Sequence, residues 1–400
     1  MPPSTIYLDN NSTTPIDPCV VEAMTRAWRD CGANPASQHS LGRKARRMLE
    51  EAREGILELL GAKTGGMDAD QLVFTSGGTE ANNLALLGLA STPPAGTKLG
   101  PLGNREIPSR VAMSPLEHPS ITATVAELAR RGALFGNCRV TAEGVVDLAP
   151  WREPPGPTPA TLVSIMLANN ETGVIQPIAE IAAACRQRGA LIHTDAVQAV
   201  GRISVHFREL GVDAMTVAPH KFHGPLGIGA LVVKNGIKLQ PQLFGGFQQG
   251  GLRPGTENVA LAVGFQAALQ HAISEFTERT AQMRSLRDQL EQSLRFELSH
   301  LVIIGENASR LPNTSCVSFP GLDRQALVMA LDLAGVACST GSACASGSSE
   351  PSPTLVAMGL PSDVIQGAIR LSLSAFSTAA EIAEASRRII NTVKHLRAQK

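Results

Sequence analysis

Between residues 70 and 235 the chain repeats one pattern: a short apolar run that stops at a cluster of polar residues, followed by a stretch of helical periodicity. Runs too apolar to alternate read as strands buried on both faces. Strands that alternate with helices specify an α/β fold, doubly wound around a mainly parallel sheet, with ligands gathered where the strands end. The sharpest instance runs from Leu191 to Gly229. Its first apolar run stops at His193, Thr194 and Asp195, and a second, Ala214 to Ala218, stops before His220, Lys221 and a Gly/Pro turn. A strand-end carboxylate and a turn lysine suit pyridoxal phosphate: the amine forms a Schiff base with the aldehyde, and the acid keeps the ring nitrogen protonated. Gln198 reaches another ring substituent if a helical turn starts just past Asp195. Taken alone, the same stretch also fits a buried N-cap aspartate and a solvated lysine.

Other strand ends carry further chemistry. Gln71 to Thr75 reads as a strand running straight into Ser76-Gly77-Gly78-Thr79 and then a helix. Gly78 lets the backbone approach an anion, the helix N-terminus offers N–H groups, and Thr79 adds a hydroxyl, so a phosphate is the natural guest. No Gly-Lys-Ser/Thr follows, so the junction is not a P-loop. His118 falls between a strand over Arg110 to Ser114 and a helix from Ile121 to Arg131, where α/β sheets place ligands. Asn169 and Asn170 follow a strand over Thr161 to Leu167, and adjacent amides there suit a ring oxygen or a substrate carboxylate. The loop from Gly32 to Ser37 is rich in binding groups, whereas residues 91–109 read as a Pro/Gly-rich surface loop without chemistry.

The ends of the chain read differently. A strand over Ile6 to Asn11 precedes a helix through Trp28, with Asp17 as N-cap and Pro18 at the first position. A long glycine-rich loop over 244–258 is followed by one amphipathic, charge-rich helical stretch from about 258 through Leu298. Strands over Thr314 to Phe319, Val336 to Cys338 and Arg370 to Ser374, with a last helix from Ala379 to Gln399, read as a smaller second domain.

A third signal is Cys344, set in Ser339-Thr340-Gly341-Ser342-Ala343-Cys344-Ala345-Ser346-Gly347. Little there can bury a thiol, and reactive cysteines need exposure. Seven scattered cysteines with no CxxC pair argue against a disulfide framework or a zinc site and for a reducing, cytoplasmic setting. Lys+Arg and Asp+Glu both total 35, so no net charge calls for nucleic acid or a membrane surface. No apolar run approaches a membrane span, and the N-terminus lacks the basic and apolar regions of a secretory signal.

Together these stretches resemble the class I cysteine desulfurases, fold-type I pyridoxal-phosphate enzymes of iron–sulfur assembly and nitrogen-fixation type. The resemblance spans almost the whole chain: YLDNNSTTPIDP at 7–18, NPASQHSLGRKAR at 34–46, FTSGGTEANNLA at 74–85, EHPS at 117–120, SIMLANNETGVIQPI at 164–178, HTDAVQAVG at 193–201, HKFHGPLGIGAL at 220–231, GLRPGTENV at 251–259 and STGSACASG at 339–347. It implies a large domain over 15–260 with a mainly parallel seven-stranded sheet. It also implies a small α+β domain, from 1–14 and 261–400, that carries a cysteine loop at 339–353. By resemblance Lys221 is the Schiff-base lysine, Asp195 pairs with the ring nitrogen, and His118 stacks on the ring and moves protons. Gln198 and Asn170 bind around the ring hydroxyl, while Gly78, Thr79 and His220 hold the phosphate. Thr256 matches a phosphate ligand given by the neighbouring subunit, which implies a homodimer. Asn34 and Arg370, with Asn170, match positions that receive the substrate carboxylate, and Cys344 matches the nucleophile that takes sulfur from L-cysteine as a persulfide for an acceptor protein, leaving L-alanine.

Some positions depart from that pattern: Ala218 stands where a phosphate-binding Ser is usual, His223 replaces an aromatic, Pro254 a Ser and Pro353 a His. The chemical residues are intact. The alternatives that remain are a selenocysteine lyase or another fold-type I enzyme, and a sulfur-carrier scaffold without turnover, which the Lys221, Asp195 and His118 set disfavours. Cys338 is expected to be a core thiol, with a resolving partner for Cys344 as the other possibility.

Overall fold

The computed structural model describes residues 5–90, 110–153, 160–341 and 350–399. The loop expected at 91–109 and Cys344 with its neighbours 342–349 lie outside the described residues. Seven strands form the large sheet, in the spatial order Gln71–Thr75, Gly229–Val233, Ala214–Val217, Leu191–Asp195, Leu162–Ser164, Arg110–Met113 and Leu134–Asn137. Four neighbouring pairs are parallel, and Gly229–Val233 runs against both of its neighbours. Parallel strands need crossovers, and helices such as Pro119–Arg130 and Ile178–Gln187 supply them.

Both sheet faces are covered, which explains why the strands lack a polar side. Along one strand Leu72 and Phe74 enter one apolar cluster while Val73 enters another; along a second strand Ala230 and Val232 oppose Leu231 and Val233. The first face packs beneath Ser40–Leu59 and Val259–Ser274, the second beneath Gly78–Ala90 and Pro119–Arg130.

A separate apolar cluster joins the N-terminal residues Ile6 and Leu8 to Leu290, Val317, Leu327, Leu371 and Ile389. It fills the space between a three-stranded antiparallel sheet, Ala368–Ser372, Thr314–Ser318 and Val302–Ile303, and the helices Phe276–Glu297 and Ala379–Ala398. Ile6–Tyr7 pairs in parallel with Val336–Ala337.

Asp17 caps the helix Pro18–Asp30 by accepting from the Cys19 amide at 3.0 Å, as its sequence predicts. The single helical stretch expected from 258 to 298 is instead two helices, Val259–Ser274 and Phe276–Glu297, broken at Glu275. The composition changes at that break. The first helix is apolar on nearly all sides and enters the large-sheet core, whereas the second carries only the stripe Leu286, Leu290 and Leu294 into the other core. One straight rod could not serve both.

Candidate active site

The carboxyl ends of the central strands converge on one cavity of about 210 Å³. Strand register explains why: Met113 lies beside Ser164, Ser164 beside His193, and Asp195 beside Thr216, so the residues that follow each strand emerge along one edge. Gly78, Thr79, His118, Asn170, Asp195, Gln198, His220 and Lys221 all line the cavity. These are eight of the residues singled out in the sequence.

Asp195 is the last residue of its strand and is buried. Its Oδ1 accepts from the Val197 amide at 2.9 Å and its Oδ2 from Asn82 Nδ2 at 2.7 Å. The same Asn82 amide donates to Ser120 Oγ at 2.8 Å, and Ser120 Oγ lies 2.8 Å from His118 Nδ1. The Ser120 backbone N–H also donates to that Nδ1, at 3.1 Å, so Nδ1 is an acceptor and the neutral ring carries its proton on Nε2. Asp195 and His118 are thus joined through Asn82 and Ser120, two residues the sequence did not single out. Burial lowers the His118 pKa, outweighing the pull of Asp195, and the Lys221 charge acts in the same direction as burial. The ring is therefore neutral at neutral pH and presents an N–H at Nε2, as suits an aromatic partner or a proton donor.

Lys221 lies in a short turn, Pro219–Lys221, after the strand Ala214–Val217. Its Nζ donates to the main-chain carbonyls of Asn11 at 2.6 Å and Ser12 at 2.7 Å. Gln198 sits in a helical turn that closes with Val200 N–H to Ala196 O at 3.1 Å, and its Nε2 donates to Asn11 O at 3.0 Å. The N-terminal segment, separated by some two hundred residues in sequence, therefore completes the amine's surroundings.

The other end of the cavity is built for an anion. The helix Gly78–Ala90 begins there, so its first N–H groups have no partners within the helix. Only glycine fits the adjoining strand: a Cβ on Gly229 would lie 2.5 Å from the Gly77 carbonyl carbon. His220 stands alongside, its pKa pushed down to about 4 by burial and by the Lys221 and Arg202 charges. Ala218 lines the same cavity and offers no hydroxyl.

An amine, a buried carboxylate and an N-terminal helix turn in one cavity match the aldehyde, ring nitrogen and phosphate of pyridoxal phosphate, so the residues fit that group. Asn82 Oδ1 lines this cavity's depth as a buried oxygen with no partner among the described residues.

Three expected residues do not line this cavity. Arg370 is 1% exposed, and its guanidinium donates to Asp9 Oδ1 at 2.6 Å, Ser12 Oγ at 2.8 Å and the carbonyls of Asn170 at 3.0 Å and Gly341 at 3.2 Å. It touches the lining through Asn170, while its Nε is buried without a partner among the described residues. Asn34 is exposed and spends its Oδ1 on the Ala36 amide at 2.9 Å. Thr256 is also exposed. Both adjoin a larger surface cavity of about 610 Å³, lined by Pro35, Ala36, Arg46, Arg53, Phe247 and Glu257. That cavity has none of the convergent chemistry around Lys221, so its size does not make it the site.

Cys338 packs against the small apolar cluster, and burial pushes its thiol up to about 12. Burial likewise holds Cys138, Cys185 and Cys316 near 12 and Cys19 near 11. None of these five is an activated thiol.

Comparison with known proteins covers nearly the whole chain. Residues 6–384 match the family Aminotransferase class-V. A cysteine desulfurase of Gluconacetobacter diazotrophicus is 40% identical over 378 residues, 94% of this chain and 90% of that protein. A cysteine desulfurase of a Nostoc species is 38% identical, over 99% of this chain and 94% of its own length. Among solved structures, a NifS-like protein superposes with a TM-score of 0.87 at 32% identity, over 98% of this chain and all of its own.

Proposed function

This chain belongs to the aminotransferase class-V family and is a pyridoxal-phosphate-dependent cysteine desulfurase, and we propose that Lys221, Asp195, His118 and Cys344 carry its reaction. The observation that supports the first three assignments is the cavity itself, where the Lys221 amine, the Asp195 carboxylate, the His118 ring and the Gly78–Thr79 helix turn meet; Cys344 is assigned from its Ser/Gly/Ala surroundings in the sequence.

Pyridoxal phosphate, when bound, supplies an electron sink that eases loss of the substrate's Cα proton. Lys221 would hold the aldehyde, and its amine, once free, would move that proton. Asp195, fixed by Asn82 and Val197, keeps the ring nitrogen protonated. His118, neutral with its proton on Nε2, would face the bound ring and deliver that proton. Gly78, Thr79 and His220 would hold the phosphate, and Gln198 and Asn170 the ring oxygen. The Cys344 thiolate attacks the substrate sulfur: an S–S bond forms, the Cβ–S bond breaks, and its electron pair stays with the carbon skeleton, which takes up protons to become L-alanine. The persulfide on Cys344 then passes to an acceptor protein, for iron–sulfur assembly or thiolation.

Arg370 receives the substrate carboxylate with its fork, exchanging Asp9 for the incoming anion. Arg370→Lys is therefore expected to raise KM for L-cysteine roughly tenfold or more while the cofactor's absorbance is unchanged. A KM equal to wild type would remove Arg370 from the substrate site.

Asp195→Asn is expected to lower kcat by roughly a hundredfold or more, since an amide cannot keep the ring nitrogen protonated. Single-turnover alanine formation checks this, and a near-wild-type rate would refute the assignment.

The protein works as a homodimer. Phe247, 85% exposed, lines the cavity that adjoins Asn34 and Thr256, and Phe244, three residues earlier, is 87% exposed; a second copy on this face would bury them. Thr256 would then reach the neighbouring subunit's phosphate. The division expected at 260 is better drawn near Glu275, because the helix Val259–Ser274 packs in the large-sheet core while Phe276–Glu297 packs in the separate small cluster with the N-terminal residues Ile6 and Leu8. The protein acts in the cytoplasm; among the described residues no helix is long and apolar enough to cross a membrane. The test of the function as a whole is alanine and sulfide release by the purified protein, compared for L-cysteine and L-selenocysteine.

A further inference from the structure

Arg202 is 4% exposed, yet no carboxylate lies within ion-pair range of it among the described residues. Its donors go to Asn11 Oδ1 at 2.8 Å, Asn10 O at 3.2 Å, Lys221 O at 3.1 Å, Gln198 O at 3.4 Å and, by a short contact, Gln198 Oε1. The charged and titratable groups that act on it or feel it, Arg370, His220 and His223, are all basic. Burial pushes its own pKa down to about 9. A buried cation without an acid is costly, and structures keep one where it orders something else or awaits an anion.

The order it imposes is specific. A side-chain amide can present either its oxygen or its nitrogen to a ligand, and here the choice is made. Arg202 donates to Gln198 Oε1, while Gln198 Nε2 gives one hydrogen to Asn11 O at 3.0 Å. The oxygen is taken, and what remains for the cavity is the second Nε2 hydrogen. Arg202 also ties Asn10 and Asn11 to the Lys221 carbonyl, so the segment that cradles the Lys221 amine and the turn that carries Lys221 are held to one guanidinium.

We propose that Arg202 is a positioning residue for the cofactor: it locks the Gln198 amide so that an N–H faces the ring oxygen, and, through Asn10 and Asn11, it sets the Asn11 and Ser12 carbonyls against Lys221. This inference rests on the function proposed above. An N–H aimed at the ring oxygen draws charge away from the proton that this oxygen shares with the linking nitrogen of Lys221. Losing that donor strengthens the proton's hold.

The test is a pH titration of the bound cofactor's absorbance in the wild-type holoenzyme, in Gln198→Leu, Arg202→Met and Arg202→Lys, and in the Gln198→Leu, Arg202→Met double variant. Gln198→Leu and Arg202→Met should each raise the midpoint by about one pH unit, the worth of one hydrogen bond to a charged group. The double variant should shift no further than Gln198→Leu, because both changes remove one donor. Arg202→Lys, which keeps a donor for Gln198 Oε1, should return the midpoint toward wild type. An unmoved midpoint in Gln198→Leu or Arg202→Met, or additive shifts in the double variant, would overturn the inference. Should Arg202→Met fail to fold, Asn11→Ala removes another acceptor of the guanidinium and the acceptor end of its tie to the N-terminal segment; a midpoint raised in Asn11→Ala supports the proposal and one left at the wild-type value overturns it. A wild-type protein with no cofactor band would overturn the underlying function and this inference with it.

Discussion

Lys221→Ala is expected to abolish alanine formation from L-cysteine, with a loss of at least roughly a thousandfold in kcat. Two roles disappear together. The amine that holds the aldehyde is gone, and so is the base that moves the Cα proton. No neighbour can substitute. His118 and His220 are the other basic groups lining the cavity; His220 is held near pKa 4, and His118 Nδ1 is engaged by Ser120. The variant should still fold, because Lys221 spends its side chain on two carbonyls of a loop and none of the apolar core depends on it. Retained cofactor bound without a covalent link, seen as a band removable by dialysis, checks the first role. Rescue of alanine formation by a small added amine checks the second. A variant that turned over at more than a few per cent of wild type would place the base elsewhere.

Cys344→Ser is expected to separate binding from turnover. The cofactor should remain bound, since the residues around Lys221 are untouched, while alanine formation falls by roughly a hundredfold or more because a hydroxyl does not accept sulfur. The case for Cys344 rests on its Ser/Gly/Ala surroundings in the sequence and on the condition of the other thiols. Five of the described cysteines are held at about 11 or 12. Cys338, only six positions earlier, packs in an apolar cluster, which fits a core role and leaves it poorly suited to receive sulfur. Cys338→Ala should accordingly leave alanine release within a fewfold of wild type. Equal losses in the Cys338 and Cys344 variants would mean that the two thiols act as a pair.

Much of this architecture is legible in the chain. Apolar runs ending at polar clusters mark strands with both faces buried, and the clusters at Gly78, His118, Asn170, Asp195 and Lys221 fall around one cavity because neighbouring parallel strands end side by side. The edge strand Leu134–Asn137 gives no such signal, since it is largely exposed and needs no apolar run. The break at Glu275 escapes notice because helical periodicity continues across it, and only the change from apolar to charged composition marks it.

The polar groups beneath the site are harder to read. Asn82 gives a faint sign, a buried amide beside Asn83 in a helix whose remainder past the first turn is apolar, yet its partners Asp195 and Ser120 are set by tertiary packing. Arg202 gives none: its acceptors come from segments some two hundred residues apart, and only the fold brings them together. Asn34 and Thr256 match the family's pattern in sequence but stay outside the cavity of a single chain; the proposed homodimer would account for Thr256, and nothing in the single chain brings Asn34 to the substrate.

The central claim is that the amine of Lys221 and the thiol of Cys344 act on one substrate molecule. Mass spectrometry of the purified holoenzyme after a brief exposure to L-cysteine tests it most directly. The expected result is one added sulfur atom on the peptide that contains Cys344, present in the wild-type protein and absent in Lys221→Ala. Sulfur found on Cys338 or another thiol instead, or on Cys344 irrespective of Lys221, would contradict it.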